Sequence, residues 1–161
     1  MKTHTNPKMH TAEHILNQTM VRMFKTKRCF NAHIEKKKSK CDYRFERFLT
    51  AEEILELEKG VNQVIKNNLP VTFETMPVEQ AKKLFTGRLP EDAAEIRIVK
   101  IGDYDTVPCI GAHVGSTKEI GKFKIISSDF NHGVLRIKVR RSIDLLRKIY
   151  GFIDGIVLNL K

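Results

Sequence analysis

A chain of 161 residues, 41% hydrophobic and 30% charged, has the size and composition of one globular domain and is too apolar for a disordered one. No apolar run approaches the roughly 20 residues of a membrane-spanning helix, and Met1–Thr5 holds no apolar stretch of the signal-peptide kind, so a cytoplasmic location without membrane attachment is expected. Lys and Arg total 29 against 19 acidic residues, a net charge of +10, which favours a polyanionic partner, nucleic acid first.

In chain order, Asn6 and Pro7 predict a helix start, the first as cap and the second at the first helical position. The helix runs to about Lys25, with Met9, Ala12, Leu16, Met20 and Met23 as its apolar stripe. Residues 29–36 and 40–48 read as a hairpin around the Lys36–Lys40 tip. Thr50-Ala51-Glu52-Glu53 is a capping box and opens a helix to about Asn68 with Ile54, Leu57, Val61, Val64 and Ile65 on one face; Pro70 stops it. A strand over 71–76, a short helix over 77–85 and a loop at Gly87–Pro90 follow. Residues 96–101, 123–128 and 134–140 read as strands, and the last twenty as a helix broken at Gly151 and Gly155, expected to pack back on the sheet. Helices and strands mix without regular alternation. The expected fold is α+β, a two-layer domain of helices on a largely antiparallel sheet.

Two short segments carry candidate chemistry. His10-Thr11-Ala12-Glu13-His14 sets two imidazoles one helical turn apart on one face, away from the apolar stripe, so both can reach one cation. Cys109-Ile110-Gly111-Ala112-His113 adds a thiol and a third imidazole; Pro108 and Gly111 predict a tight turn that folds them toward one point. Thiolate with imidazole suits zinc better than magnesium or calcium. Together the pairs supply four ligands: His10, His14, Cys109 and His113. The other two cysteines, Cys29 and Cys41, are expected as small buried thiols, since an odd, sparse set argues against a disulfide framework.

These residues resemble a known family. His-x-x-x-His on an early helix, then Cys-x-Gly-x-His-Val, then Thr117-Lys118-Glu119-Ile120-Gly121-Lys122-Phe123-Lys124-Ile125 and Gly133-Val134-Leu135-Arg136-Ile137, looks like the editing domain shared by alanyl- and threonyl-tRNA synthetases and by the free-standing AlaX proteins. The resemblance covers about residues 8–140 of a single domain spanning 1–161, with 141–161 as a C-terminal extension. It implies an α+β fold with one zinc, bound by His10, His14, Cys109 and His113. The implied activity is hydrolysis of misacylated tRNA, usually seryl- and sometimes glycyl-tRNA for alanine. Two departures bear on amino-acid specificity: Ile110 and Ala112 replace the Gly and Thr of the common Cys-Gly-Gly-Thr-His, and Val107 stands where the threonyl type has an acidic residue.

Two rival readings stand beside this one. His-x-x-Glu-His is also the inverted zinc-peptidase motif, but that leaves Cys109 and His113 without a role, and Glu13 is expected to be an ordinary helix carboxylate. A closed four-ligand zinc would equally suit a non-catalytic RNA-binding module. Thr11 is a candidate for a substrate hydrogen bond, against the plainer reading of a helix-surface hydroxyl. Asp105 is a candidate to orient a ligand histidine, with loop capping its expected role. For contact with the tRNA backbone the candidates are Lys36, Lys37 and Lys38 at the hairpin tip and Arg136, Lys138 and Arg140 along one strand face.

Overall fold

The computed structural model describes residues 6–35, 38–86, 89 and 92–142. Helix α1 (Pro7–Phe24) starts where Asn6 accepts the Met9 N–H, has Pro7 in its first turn, and closes on Lys25 in the left-handed region. Met9, Ala12, Leu16 and Met20 are fully buried, while Met23 is only partly so. The other side of the helix is buried too, through His10, Thr11, Glu13, His14 and Asn17.

The hairpin forms from β1 (Asn31–Ile34) and β2 (Lys38–Arg44), shorter than expected. Cys41 is buried in β2, but Cys29 lies just ahead of β1 and is half-buried. Helix α2 (Ala51–Lys66) buries Leu57, Val61, Val64 and Ile65, with Ile54 packed at the margin. Then come β3 (Val71–Pro77), α3 (Val78–Leu84), β4 (Glu95–Ile101), β5 (Asp105–Pro108), a 3-10 turn over Thr117–Ile120, β6 (Lys122–Asn131) and β7 (Val134–Ser142). The expected helix in the last twenty residues, like Gly87 and Arg88, lies outside the described residues.

The α+β architecture is as expected, and among the described residues every strand pairing is antiparallel, but they form two sheets rather than one. The first has the order β1-β2-β7-β6 and the second is the meander β3-β4-β5. Strand β4 explains the division. Its Ile96 and Ile98 join Val78 and Ala81 in a small core under α3, while Val99 and Ile101 on its other face join the main core. Helix α1 thus packs against β2 on one side and β5 on the other. At the outer edge of the first sheet, β6 meets α2 rather than another strand. Asn62 exchanges two hydrogen bonds of 2.9 Å with the Phe123 backbone, and Glu58 accepts the Ile125 N–H at 2.8 Å.

The α2 capping box is reinforced from outside. Arg47 donates to both Glu53 oxygens at 2.8 Å, and Glu53 also accepts the Thr50 N–H at 2.9 Å. The Arg47 hydrogen bonds, then the Thr50 N–H, pull the Glu53 carboxyl down to about 2. A folded value below the unfolded one gives stability that is full above the ordinary carboxylate range and is lost as pH falls toward about 2. Denaturant unfolding should therefore show Arg47→Ala less stable than wild type near neutral pH, with the gap closing in acid. Thr50→Ala should cost about 1 kcal/mol through the lost cap.

Candidate metal centre

Residues a hundred positions apart meet here. His10 and His14 project from α1 toward the segment after β5, and one ligand atom from each of His10, His14, Cys109 and His113 lies within 4.8 Å of the others. The Cys109 Sγ is 3.5 Å from both His10 Nε2 and His113 Nε2. The imidazole centroids are 4.1 to 4.9 Å apart. A thiol with three imidazoles is a donor set for thiophilic cations rather than magnesium or calcium.

The outer contacts test whether these residues fit a metal, because a ligand histidine usually has its second ring nitrogen held. The Thr11 hydroxyl donates to Pro7 O at 2.8 Å. Having used its one hydrogen, it accepts from Val114 N–H at 3.2 Å and from His113 Nδ1 at 3.0 Å. This puts the His113 proton on Nδ1 and leaves a lone pair on Nε2. His10 Nδ1 likewise donates to Ala112 O at 3.1 Å. His14 Nδ1 lies 3.7 Å from Asp105 Oδ2, whose other oxygen accepts from Arg28 at 2.8 Å. His10 and His113 thus turn Nε2 toward Cys109 Sγ, His14 brings a ring nitrogen within 4.8 Å of the other donors, and the site fits a cation.

Several expectations are revised by this geometry. Thr11 is fully buried with its hydroxyl engaged by protein groups, so it positions His113. Asp105 is buried beside His14, as an orienting residue would be. Ala112 contributes its carbonyl, and the side chain of Ile110 points to solvent at 61% exposure. Gly111 matters for space: a Cβ there would lie 2.2 Å from His10 Cε1 and 2.6 Å from its Nδ1.

Glu13 is no ordinary surface carboxylate. It is buried with Oε2 3.9 Å from His14 Nε2, and it accepts hydrogen bonds from Asn17 and, at 3.4 Å, from Cys29 Sγ. Burial pushes its carboxyl up, opposed by the Arg28 charge. Burial likewise raises the Asp105 carboxyl and the Cys109 thiol. A cavity of about 400 Å³ opens onto Glu13, His14, Asn17, Arg28 and Cys29, with Leu84, Phe85, Val107 and Pro108 among its apolar walls. A larger concavity of about 1000 Å³, between Met23 and Glu56, touches none of the four donors. No local sequence signal marks Phe73 and Arg97. The guanidinium of Arg97 stacks 3.9 Å over the half-exposed Phe73 ring, which lies 6.4 Å from the His113 ring, and Arg97 donates to Gly111 O at 2.8 Å.

The described cationic candidates, Lys38, Arg136, Lys138 and Arg140, lie on the first sheet, on the face turned away from α1. Lys138 and Arg140 are exposed on β7, opposite Lys40 and Lys38 of β2. Arg136 grips Asp42 through two hydrogen bonds of 2.7 and 2.9 Å and holds that carboxyl below its usual range. Lys138 is 3.7 Å from Asp129, and Lys38 is 4.0 Å from Glu35. Lys36 and Lys37 lie outside the described residues.

Metal titration of apoprotein should separate the roles of this segment. Gly111→Ala must displace the His10 ring and Thr11→Val frees His113, so each should weaken binding at the four-donor centre by about 10- to 100-fold. Ile110→Ala, which alters only an exposed side chain, should leave binding unchanged.

Comparison with known proteins places the whole arrangement. Residues 96–138 match the family described as the threonyl and alanyl tRNA synthetase second additional domain. Alanine–tRNA ligase of Coxiella burnetii is 36% identical over 136 residues, covering 80% of this chain and 15% of that protein. The enzyme of Treponema denticola is 34% identical over 141 residues, 80% of this chain and 22% of its own. That of Caldivirga maquilingensis is 31% identical over 170 residues, 96% of this chain and 19% of its own. The chain thus spans about a fifth of the length of these relatives. By sequence the chain belongs to the AlaX-like editing domains related to alanyl-tRNA synthetase.

Proposed function

We propose that this chain is a zinc-containing deacylase that hydrolyses misacylated tRNA, with serine on alanine tRNA as the first substrate and glycine as the second. The observation that carries the reading is the four-donor centre, pre-oriented by Thr11, Ala112 O and Asp105, beside a cavity of about 400 Å³. His10, His14, Cys109 and His113 would hold the zinc. Bound there, it would supply Lewis acidity toward an ester carbonyl or an anchor for the substrate amine or ribose.

The residues of the chain do the rest. Thr11, Asp105 and the Ala112 carbonyl hold the imidazoles in one tautomer, so no reorganisation is needed when substrate arrives. Leu84, Phe85, Val107 and Pro108 exclude water from one side of the cavity, and Arg28 and Glu13 form its polar wall. In this reading the basic face of β2 and β7 holds the tRNA backbone. It lies across the first sheet from α1, so it serves the duplex rather than the aminoacyl end. Arg136 is engaged by Asp42, leaving Lys138 and Arg140 as the main phosphate contacts.

Purified protein should hydrolyse seryl-tRNA faster than alanyl-tRNA. Alanine lacks the hydroxyl, and polar groups set to meet it would be left unpaired at a cost of about 1–3 kcal/mol. Chelation should abolish turnover, and zinc should restore it. Ala112→Thr should retain the metal, because the carbonyl rather than the side chain holds His10, and should shift the ratio of the two rates. Equal rates on both substrates, unmoved by that substitution, would refute selectivity through this position. Zinc-loaded protein inert toward seryl-, glycyl- and alanyl-tRNA would establish the rival reading, a zinc-stabilised RNA-binding module. Replacing Lys138 and Arg140 by Gln should weaken tRNA binding and lower its salt slope by about 2.

A further inference from the structure

A second cluster of ligand-type side chains lies behind the first, between α1 and the β1–β2 hairpin. One ligand atom each from Glu13, Cys29 and Cys41 lies within 4.8 Å of the others. Two elements bring them there. Asn17, one turn beyond Glu13 on α1, accepts the Cys29 N–H at 2.8 Å and fixes that backbone just ahead of β1. Cys29 Sγ then points at Glu13 Oε1, 3.4 Å away. Cys41 reaches the same place from the face of β2 that packs on α1, and is fully buried.

Tyr43 supplies an independent observation. It is two residues along the same face of β2, fully buried, and its hydroxyl has no hydrogen-bond partner among the described residues. Its surroundings include Cys41, Cys29 and Glu13, which with burial push its hydroxyl well above the usual range. A buried carboxyl and an unsatisfied phenol each cost free energy in an apolar core, and here both lie beside two thiols.

We propose that Glu13, Cys29 and Cys41 form a second metal site, selective for a thiophilic divalent cation of the zinc type. Two sulfurs and a carboxylate oxygen match the preference of that ion, and the Tyr43 hydroxyl or a water completes the fourfold set. Binding displaces the two thiol protons to solvent, and the guanidinium of Arg28 beside Glu13 offsets the surplus negative charge. The ion enters by the cavity of about 400 Å³, which both Glu13 and Cys29 line. Glu13 Oε2 also lies 3.9 Å from His14 Nε2, so the two sites are neighbours and are best measured apart.

Cobalt titration of reduced apoprotein provides the test, with bound metal counted by elemental analysis and thiolate ligation read from sulfur-to-cobalt charge transfer. Wild type should take up a second equivalent, with three thiolates contributing. Cys109→Ala should keep one equivalent and about two-thirds of the charge-transfer intensity. Cys29→Ser should keep one equivalent and about one-third of it. Because Cys41 is buried, Cys29→Ser and Glu13→Gln are the primary variants, each checked for native circular dichroism. In Cys109→Ala, zinc should also protect Cys29 from alkylation. Saturation of wild type at one equivalent, or alkylation of Cys29 at the same rate with and without zinc in Cys109→Ala, would overturn the proposal. The outcome does not depend on whether the chain deacylates tRNA.

Discussion

The contact between the first turns of α1 and the segment that follows β5 joins residues a hundred positions apart, and polar groups make it. Thr11 takes hydrogen bonds from His113 and Val114, His10 donates to Ala112 O, and the His10 ring fills the space that a side chain at 111 would need. Such a contact is costly for a helix already buried on its apolar side, because His10 and His14 leave water and Cys109 and His113 are half-buried beside them. His10 and His113 are compensated on Nδ1 by Ala112 O and the Thr11 hydroxyl, and both turn Nε2 toward Cys109 Sγ. Turning the His10 or His113 ring would break a hydrogen bond on its far side, so these two rings are held rigidly.

Much of this was legible in the sequence, and the boundary between what was and was not is physical. The ends of α1 and α2 followed from Asn6, Pro7 and Thr50, because capping is a local interaction written within four residues. The donor set followed from two pairs spaced four apart. Strand β5 was not legible, since four residues ending in proline carry no usable periodicity. The second sheet stayed hidden because β4 buries both faces, against different partners, and so reads as a plain apolar run. Glu13 gives no local sign of its burial for a related reason: that burial depends on Asn17 of α1 holding the segment ahead of β1 so that Cys29 meets Glu13, a tertiary fact.

The placement of charge follows from the same layering. With α1 enclosed between the two sheets, the polar chemistry is internal, and the excess of lysine and arginine is left for outward faces. On β2 and β7 the alternation of strands does the sorting: Cys41, Tyr43, Leu135, Ile137 and Val139 turn inward, and Lys40, Arg136, Lys138 and Arg140 turn outward. The few carboxylates on that face, Asp42 and Asp129, moderate it without reversing its sign.

The meeting of α2 with β6 constrains how copies of this protein can associate. A bare sheet edge is a template on which another chain can add a strand. On β6 the Phe123 N–H and C=O and the Ile125 N–H are already taken by Asn62 and Glu58 from a helix rather than a strand. Growth of the four-stranded sheet by strand addition is therefore blocked at Phe123 and Ile125, and the opposite margin, β1, is only four residues long. Edge-to-edge polymerisation of that sheet is disfavoured at both margins, by side-chain occupancy at one and by shortness at the other.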